Sequence, residues 1–388
     1  MYNFDFHVPT KILFGKNKIQ EFGCSVAEFS SKVLLVYGGG SIKNNGIYDA
    51  VIEQLKSNNI EYYELGGVDP NPRIESVRKG GDICKKYNLD GVIAIGGGSC
   101  IDCAKVIAAA AKYDGDPWDL VLDSSKITDA INVFSVLTLS ATGSEMNKGA
   151  VISNMSTNEK LGTHSKCLIP KVSVLDPTYT FTVPKKHTAA GVADIMSHTF
   201  ENYFSNTGGT LIQKNMAEAI LKTCIHYGPI ALSTPDDYDA RSNLMWAATW
   251  AINGLISLGS TNNWSVHPIE HELSAFYDIT HGEGLAILTP RWMEYVLRDE
   301  TIENFVNYGV NVWNIDPSLD KYEIAKKSIE CTQKFFVEEL GIPKNLREVG
   351  IDEKYFDKMS VKAVKGKKIN GFVELSSEDV KKIYEMSL

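Results

Sequence analysis

Apolar positions in the first half of the chain fall into two alternating patterns. Short β-branched runs of strand length at residues 33–37 (VLLVY), 62–65, 92–95 and 133–139 alternate with stretches at 47–55, 74–87 and 100–112 whose apolar residues recur at helical spacing. Strands alternating with helices predict a mostly parallel sheet covered on both faces. Ahead of them, FDFHV and TKILFG alternate around Pro9-Thr10 and predict two short strands. From Thr178 onward the strand pattern fades. Residues 189–203, 211–227, 240–256 and 322–340 show helix-length apolar periodicity, so the second half reads as all-helical. Proline restricts its predecessor, and the pattern changes at Asp176-Pro177, which sets the expected domains at 1–177 and 178–388. No internal repeat, low-complexity tract or long linker separates them, so the domains are expected to pack directly.

Length agrees with two domains, since 388 residues exceed the roughly 250–300 at which one core stops growing. Hydrophobic residues at 44% and charged residues at 22% are ordinary globular usage, which excludes disorder and fibrous repeats. A net charge of -9 without an offsetting Lys/Arg cluster argues against a nucleic-acid partner. The longest apolar stretch, 245–259, is interrupted by Thr249 and Asn253 and falls short of the ~20 residues of a membrane span, so it reads as a buried helix. The start lacks the basic and apolar regions of a signal peptide. Seven cysteines without framework spacing point to a reducing compartment, and the expected location is the cytoplasm.

Three loops carry the first candidate chemistry. Gly38-Gly39-Gly40-Ser41 and Gly96-Gly97-Gly98-Ser99 each follow a predicted strand and precede a helix. Glycine lets a ligand approach the backbone, and a helix N-terminus offers N–H groups and partial positive charge to phosphate. A third loop, 138–144 (TLSATGS), follows another strand with hydroxyls and a glycine. Such loops at strand C-terminal ends are where an open α/β sheet binds its ligand. The bland alternative is that glycine-rich turns merely connect strands to helices, and the G-x-G-x-x-G fingerprint is absent. Cys100-Ile-Asp-Cys103 opens a helix after one of these turns; with no second C-x-x-C it is a weak redox or zinc motif, whereas Asp102 is a polar group near the expected ligand.

The helical half carries the second constellation. Asp194 and His198 are four residues apart, as are His267 and His271, and His281 follows; i,i+4 spacing puts side chains on one helix face. Carboxylate and neutral imidazole suit Zn²⁺ or Fe²⁺ without any thiolate. Isolated histidines in apolar helices are usually structural, and His7, His164, His187 and His226, which lack a partner pattern, are read that way.

These motifs resemble the iron-containing (group III) alcohol dehydrogenases, and within them the butanol-dehydrogenase-like aldehyde reductases. The resemblance runs through TKILFG, DPNPR at 69–73, GGGSCIDCAK at 96–105, TLSATGSEMN at 138–147, VLDP at 174–177 and the paired histidine segments. It implies an N-terminal α/β, Rossmann-like dinucleotide-binding domain, an all-α C-terminal metal-binding domain, and an active site in the interdomain cleft. It implies Asp194, His198, His267 and His281 as ligands of one Fe²⁺ or Zn²⁺, with His271 and Asp102 as catalytic or proton-handling groups. Cofactor contacts fall on Gly39, Gly40, Ser41, Asn71, Gly97, Gly98, Ser99, Asp102, Thr138, Ser140, Asn147, Gly149, Val151 and Lys160. The first turn carries no carboxylate to repel a 2′-phosphate, so NADP(H) is expected in preference to NAD(H). The implied reaction is hydride transfer between that cofactor and a small alcohol or aldehyde such as butanol or butanal, by a homodimer. A metallohydrolase or a dehydroquinate-synthase-type lyase using the same Asp/His site, and a non-catalytic nucleotide binder, are the rival readings.

Overall fold

A computed structural model of the chain describes residues 1–261 and 264–388. The apolar runs form β1 (Lys11–Phe14), β2 (Lys32–Tyr37), β3 (Glu61–Leu65), β4 (Gly91–Gly96), β5 (Asn132–Leu137) and β8 (Val172–Leu175), with an antiparallel hairpin of β6 (Gly149–Asn154) and β7 (Glu159–His164) between the last two. The sheet order is β1-β8-β5-β4-β2-β3, and every neighbouring pair is parallel. Helices α1 (Phe22–Ala27), α2 (Ser41–Asn44), α3 (Ile47–Ser57), α4 (Ile74–Tyr87), α5 (Gly98–Ala110) and α6 (Trp118–Leu122) belong to this half.

Successive strand residues enter opposite faces, and both faces are covered. Leu34, Val36, Val92 and Ala94 join Val77 of α4 and Ile101 of α5 in one core. Val33, Leu35, Ile93 and Ile95 join Val26 of α1 and Val51 of α3 in the other. That double burial is why VLLVY and VIAI are apolar throughout instead of alternating.

The second half folds into α7 (Lys185–Tyr203), α8 (Leu211–Ser233), α9 (Tyr238–Ile252), α10 (Val266–Tyr277), α11 (His281–Val296), α12 (Ile302–Trp313), α13 (Lys321–Lys334), α14 (Phe356–Ala363) and α15 (Ser377–Met386). Residues 188–203 of α7 are buried all round. Its Phe200 and Tyr203, with Phe204 just beyond its end, meet Trp292, Phe305, Tyr308 and Phe372 in one aromatic cluster.

Two sequence expectations need correction. FDFHV is not a strand: β1 instead pairs in parallel with β8, while the Met1 ammonium donates to Gly208 O and Tyr2 N to Gly259 O. The second half is not wholly helical, because 369–370 and 374–375 form a short antiparallel pair. The chain divides into two compact units, each built from separate stretches of sequence. One compact unit comprises His7–Val183 with Asp236–Thr249, and the other Met1–Phe6, Pro184–Pro235 and Trp250–Leu388. Most of α9 thus goes with the α/β unit, where Met245 enters the sheet core, Trp246 meets Phe14 edge-on and Thr249 donates to Glu145 Oε1 at 2.5 Å. Periodicity showed a helix there but not the core that it joins. None of the helices among the described residues is long and apolar enough to cross a membrane.

Candidate functional site

In the α/β unit, β4 runs into Gly97, which caps α5, so the helix starts at Gly98 and Ser99. Gly98 is a packing necessity: a Cβ there would lie 2.2 Å from Thr142 Oγ1 on the loop after β5. Thr138 N donates to Gly96 O at 3.0 Å, which joins the same two loops from the strand side. Ser99 Oγ donates to Pro70 O and Ser153 N to Pro72 O, so the loop bearing buried Asn71 is tied to both α5 and β6. Lys160, buried on β7, stands opposite Ser153 in the hairpin register, and Ser140 is half-buried.

One turn into α5, Asp102 uses both oxygens. Oδ1 accepts from Ser144 Oγ at 2.5 Å and Oδ2 from Val151 N at 2.8 Å. Burial pushes this carboxyl up against the opposing pull of Lys105 and of those hydrogen bonds. Lys105, one turn further and fully buried, donates to Ser144 Oγ, Asn147 O, Asn147 Oδ1 and Gly149 O at 2.8–3.0 Å. Asn147 spends its amide internally, with Nδ2 donating to Gly143 O and Oδ1 accepting from Gly149 N. The sequence-predicted Asp102, Asn147, Gly149 and Val151 therefore meet around a lysine that the sequence reading quoted but did not assign. Lysine on an apolar helix face, three residues past an aspartate, was the available signal. Cys100 and Cys103 are buried in the same helix, and burial pushes the Cys100 thiol up to about 12, so no thiolate chemistry follows from that pair.

At the first turn Gly40 has φ +96°, a left-handed value that favours glycine. A Cβ on Gly39 would meet nothing within 4 Å, and Ser41 opens the short α2. Beside this turn stands a carboxylate the sequence reading missed. Glu64 at the end of β3 accepts from Tyr37 and Tyr48 hydroxyls at 2.6 Å each, and Lys43 Nζ lies 3.4 Å from it. Partial burial opposes ionisation of Glu64, but the two phenols and Lys43 outweigh it and hold the carboxyl below its usual range.

In the helical unit, α7 carries Asp194 and His198, α10 carries His267 and His271, and α11 begins at His281. Gly282 lets α11 touch α7, since a Cβ there would lie 2.0 Å from Ala190 O, one turn before Asp194. His198 Nε2 and His281 Nε2 then lie 3.6 and 3.8 Å from Asp194 Oδ1. Ligand-capable atoms of Asp194, His267 and His281 lie within 4.8 Å of one another. His198 adjoins this set through Asp194 and stacks on His267, ring centroids 4.8 Å apart. Burial pushes His198 down to about 3, with Asp194 opposing, so its imidazole is neutral at pH 7. Asp194 Oδ1 and His267 Nε2 are buried without a hydrogen-bond partner among the described residues. Such atoms are costly unless something pairs them, and a carboxylate oxygen converging with imidazole nitrogens is the donor set of a Zn²⁺ or Fe²⁺ ion. The residues fit a metal.

His271 is half-buried, its ring 5.6 Å from that of His281, and Glu270, His271 and His281 form a second group within 4.8 Å. Two further carboxylates went unseen in the sequence: Glu201 beside His267 and Glu270 beside His281. Glu201 follows His198 by three residues on α7, a helical spacing that would have found it; Glu270 depends on the fold of α11 back onto α10.

Comparison with known proteins extends this geometry. Residues 9–177 match the family model described as iron-containing alcohol dehydrogenase, and residues 188–388 the one for the C-terminal part of that family. The chain is 59% identical, over all of both chains, to NADH-dependent butanol dehydrogenase A of Clostridium acetobutylicum. It is 42% identical to NADPH-dependent aldehyde reductase YqhD of Escherichia coli, over 91% of this chain and 90% of that one. The crystal structure of NADH-dependent butanol dehydrogenase A from Thermotoga maritima superposes with a TM-score of 0.95 at 41% identity, covering 100% of this chain and 99% of the other. The α/β unit with its parallel sheet, the helical unit with its Asp/His cluster and matches spanning both halves lead to one conclusion: the chain belongs to the iron-containing alcohol dehydrogenase family.

Proposed function

We propose that the chain moves a hydride between NADP(H) and a short primary alcohol or aldehyde such as butanol or butanal, with one Fe²⁺ or Zn²⁺ held by Asp194, His198, His267 and His281. Family membership carries the reaction class, metal-dependent alcohol dehydrogenase or aldehyde reductase with a nicotinamide cofactor. The observation that supports the ligand set is the pair of buried atoms Asp194 Oδ1 and His267 Nε2, without partners among the described residues, beside two further imidazoles. When bound, the ion supplies Lewis acidity at the substrate oxygen and the nicotinamide gives or takes the hydride.

The chain's own residues bind, orient and move protons. The N-terminus of α5 at Gly98 and Ser99 offers N–H groups and partial positive charge to a pyrophosphate. Asp102, Lys105 and Asn147 fix the loop from Thr138 to Val151, so that Thr138, Ser140, Gly149 and Val151 present one set shape to the rest of the cofactor. Lys160, in register with Ser153 of β6, and Asn71, on the loop tied to Ser99, complete the contacts in this reading. We assign proton exchange to His271, whose ring neighbours that of His281. Asp102, with both oxygens already accepting hydrogen bonds, acts here by positioning.

The preference for NADP(H) rests on the carboxylate-free turn at Gly39, Gly40 and Ser41, and the name of the Escherichia coli reductase supports it. The names of the Clostridium and Thermotoga butanol dehydrogenases speak for NADH. A cytoplasmic homodimer completes the reading; the free cysteines suit a reducing compartment, and light scattering measures the assembly. The deciding experiment is absorbance of the reduced cofactor when protein loaded with Fe²⁺ or Zn²⁺ meets butanal and either NADPH or NADH. Steady oxidation with faster turnover of NADPH is expected; no oxidation of either would remove the substrate assignment.

A further inference from the structure

Two carboxylates sit behind the imidazoles of the Asp/His cluster, each against the Nδ1 of one histidine. His281 divides its nitrogens: Nδ1 meets Glu270 Oε2, while Nε2 lies 3.8 Å from Asp194 Oδ1. His267 does the same, with Nδ1 3.0 Å from Glu201 Oε1 and Nε2 buried without a partner among the described residues. An ionised carboxylate only accepts, so each contact requires the proton on Nδ1 and leaves the lone pair on Nε2. We propose that Glu201 and Glu270 are positioning residues of the metal centre, each fixing the tautomer and ring orientation of one ligand histidine so that its Nε2 lone pair is left available to an ion shared with Asp194. This rests on the metal reading given above and deepens it.

Both carboxylates are themselves held. Glu201, buried on α7, accepts at Oε2 from Ser265 N at 2.7 Å, and at Oε1 from Val266 N at 2.8 Å and His267 N at 3.0 Å. It thereby caps α10, whose N-cap Ser265 makes no side-chain cap, and sets the start of the helix that carries His267. Glu270, fully buried on α10, accepts from Ser274 Oγ one turn on. Gly284 of α11 makes room for it, since a Cβ there would lie 2.9 Å from Glu270 Cγ and 3.0 Å from its Oε1. The first turn of α11 therefore closes over the Glu270 carboxylate, with His281 at its first position. Carboxylates that orient ligand histidines in this way typically change metal affinity by about 10–100-fold when removed.

The test is equilibrium binding of Zn²⁺ to the full-length apoprotein against a competing chelator, with circular dichroism as the folding control. Wild type is expected to bind one ion per chain, and Asp194→Asn to bind it far more weakly, which upholds the centre itself. Glu270→Gln and Glu201→Gln should then each bind Zn²⁺ about 10–100-fold more weakly with an unchanged circular dichroism spectrum. Gly284→Ala keeps every polar group and displaces the Glu270 carboxylate, so it should weaken Zn²⁺ in the same direction, and it decides the matter should Glu270→Gln fail to fold. Equal affinity in wild type, Glu270→Gln and Gly284→Ala would overturn the positioning role and leave the metal reading standing. Failure of wild type to bind any ion would overturn both, and a second ion per chain lost in Glu270→Gln would make Glu270 a ligand instead.

Discussion

Lys105 Nζ and Ser144 Oγ are 2.8 Å apart in a fully buried contact, and the same hydroxyl donates to Asp102. One ammonium thus links α5 to the loop after β5 through four acceptors, while the aspartate one turn earlier grips the other end of that loop at Val151. Lys105→Met keeps the volume of the stem but leaves Asn147 O and Gly149 O without their donor and Asp102 without its nearby cation. Removing one partner of a buried charged network costs about 3–5 kcal/mol. Urea unfolding should show a loss of that order, and a loss below ~1 kcal/mol would mean that water replaces the ammonium at no penalty.

The same lysine gives a pH dependence of stability. Burial pushes Lys105 down to about 8, with Asp102 and Glu145 pulling the other way, whereas the unfolded chain has the ordinary value of 10.5. Between these values the unfolded state binds more protons than the folded one, so stability rises with pH through that window. The contribution is complete above 10.5 and is lost as pH falls through about 8. Other groups titrate there too, so the quantity to measure is the stability of wild type minus that of Lys105→Met. It should grow from pH 8 toward 10, and a flat difference would show that Lys105 keeps its proton throughout.

Much of this architecture was legible because burial on both faces leaves a plain mark: VLLVY and VIAI, short, apolar throughout and rich in β-branched residues, read as strands covered twice. The i,i+4 pairs Asp194/His198 and His267/His271 were legible for a similar reason, since helix geometry alone puts each pair on one face. The exceptions depend on tertiary context. FDFHV has the alternation of a strand, but alternation cannot reveal that β1 already has its partner in β8. Helix α9 has helical periodicity, but the assignment of Met245 and Thr249 to the sheet core comes from packing. Glu64 and Glu270 carry no local signal, because each matters only through residues brought to it by another strand or helix.

Loading the Asp/His cluster should stabilise the protein, since the ion supplies the partner that Asp194 Oδ1 and His267 Nε2 lack among the described residues. At free ion 100-fold above Kd the gain is about 2.7 kcal/mol. The melting temperature of chelator-treated protein should therefore rise by several degrees on adding Zn²⁺ or Fe²⁺. In His198→Ala the rise should shrink together with bound metal and activity. Full occupancy and normal turnover in that variant would take His198 out of the ligand set.

His271 should behave differently from its neighbours. Its ring lies 5.6 Å from that of His281 and 6.5 Å from that of His267, close to the cluster but outside the group formed by Asp194, His267 and His281. General acid–base groups contribute typically about 10²–10⁴ in rate. His271→Gln should keep its metal and lose turnover within that range, with a flattened pH–rate profile. Loss of metal as severe as in His267→Ala would redraw the ligand set around the group of Glu270, His271 and His281.

Cofactor choice turns on the balance of charge beside Gly39. Its backbone faces open space, so Gly39→Asp can be made without a clash and brings a carboxylate to the turn. Like charges in such a contact cost several kcal/mol, and each ~1.4 kcal/mol is tenfold in affinity, so NADPH should weaken strongly while NADH is kept or improved. The opposite change is available at Glu64. There the carboxylate ties down Lys43, whose Nζ lies 3.4 Å away and over the rings of Tyr37 and Tyr48 at 4.9 and 4.6 Å. Glu64→Gln removes the competing anion, keeping one oxygen to accept from a phenol and an NH2 that can donate to the other phenol oxygen, so Lys43 becomes free to pair with a 2′-phosphate and the preference should move toward NADPH. Both side chains of the pair are partly exposed, so this shift is smaller than that of Gly39→Asp and fades with salt. The measurement is kcat/KM for NADPH and NADH on wild type and both variants. Opposite movements of the ratio in the two variants support selection at this turn; a wild type that favours NADH, with neither variant moving the ratio, would place selection elsewhere in the protein.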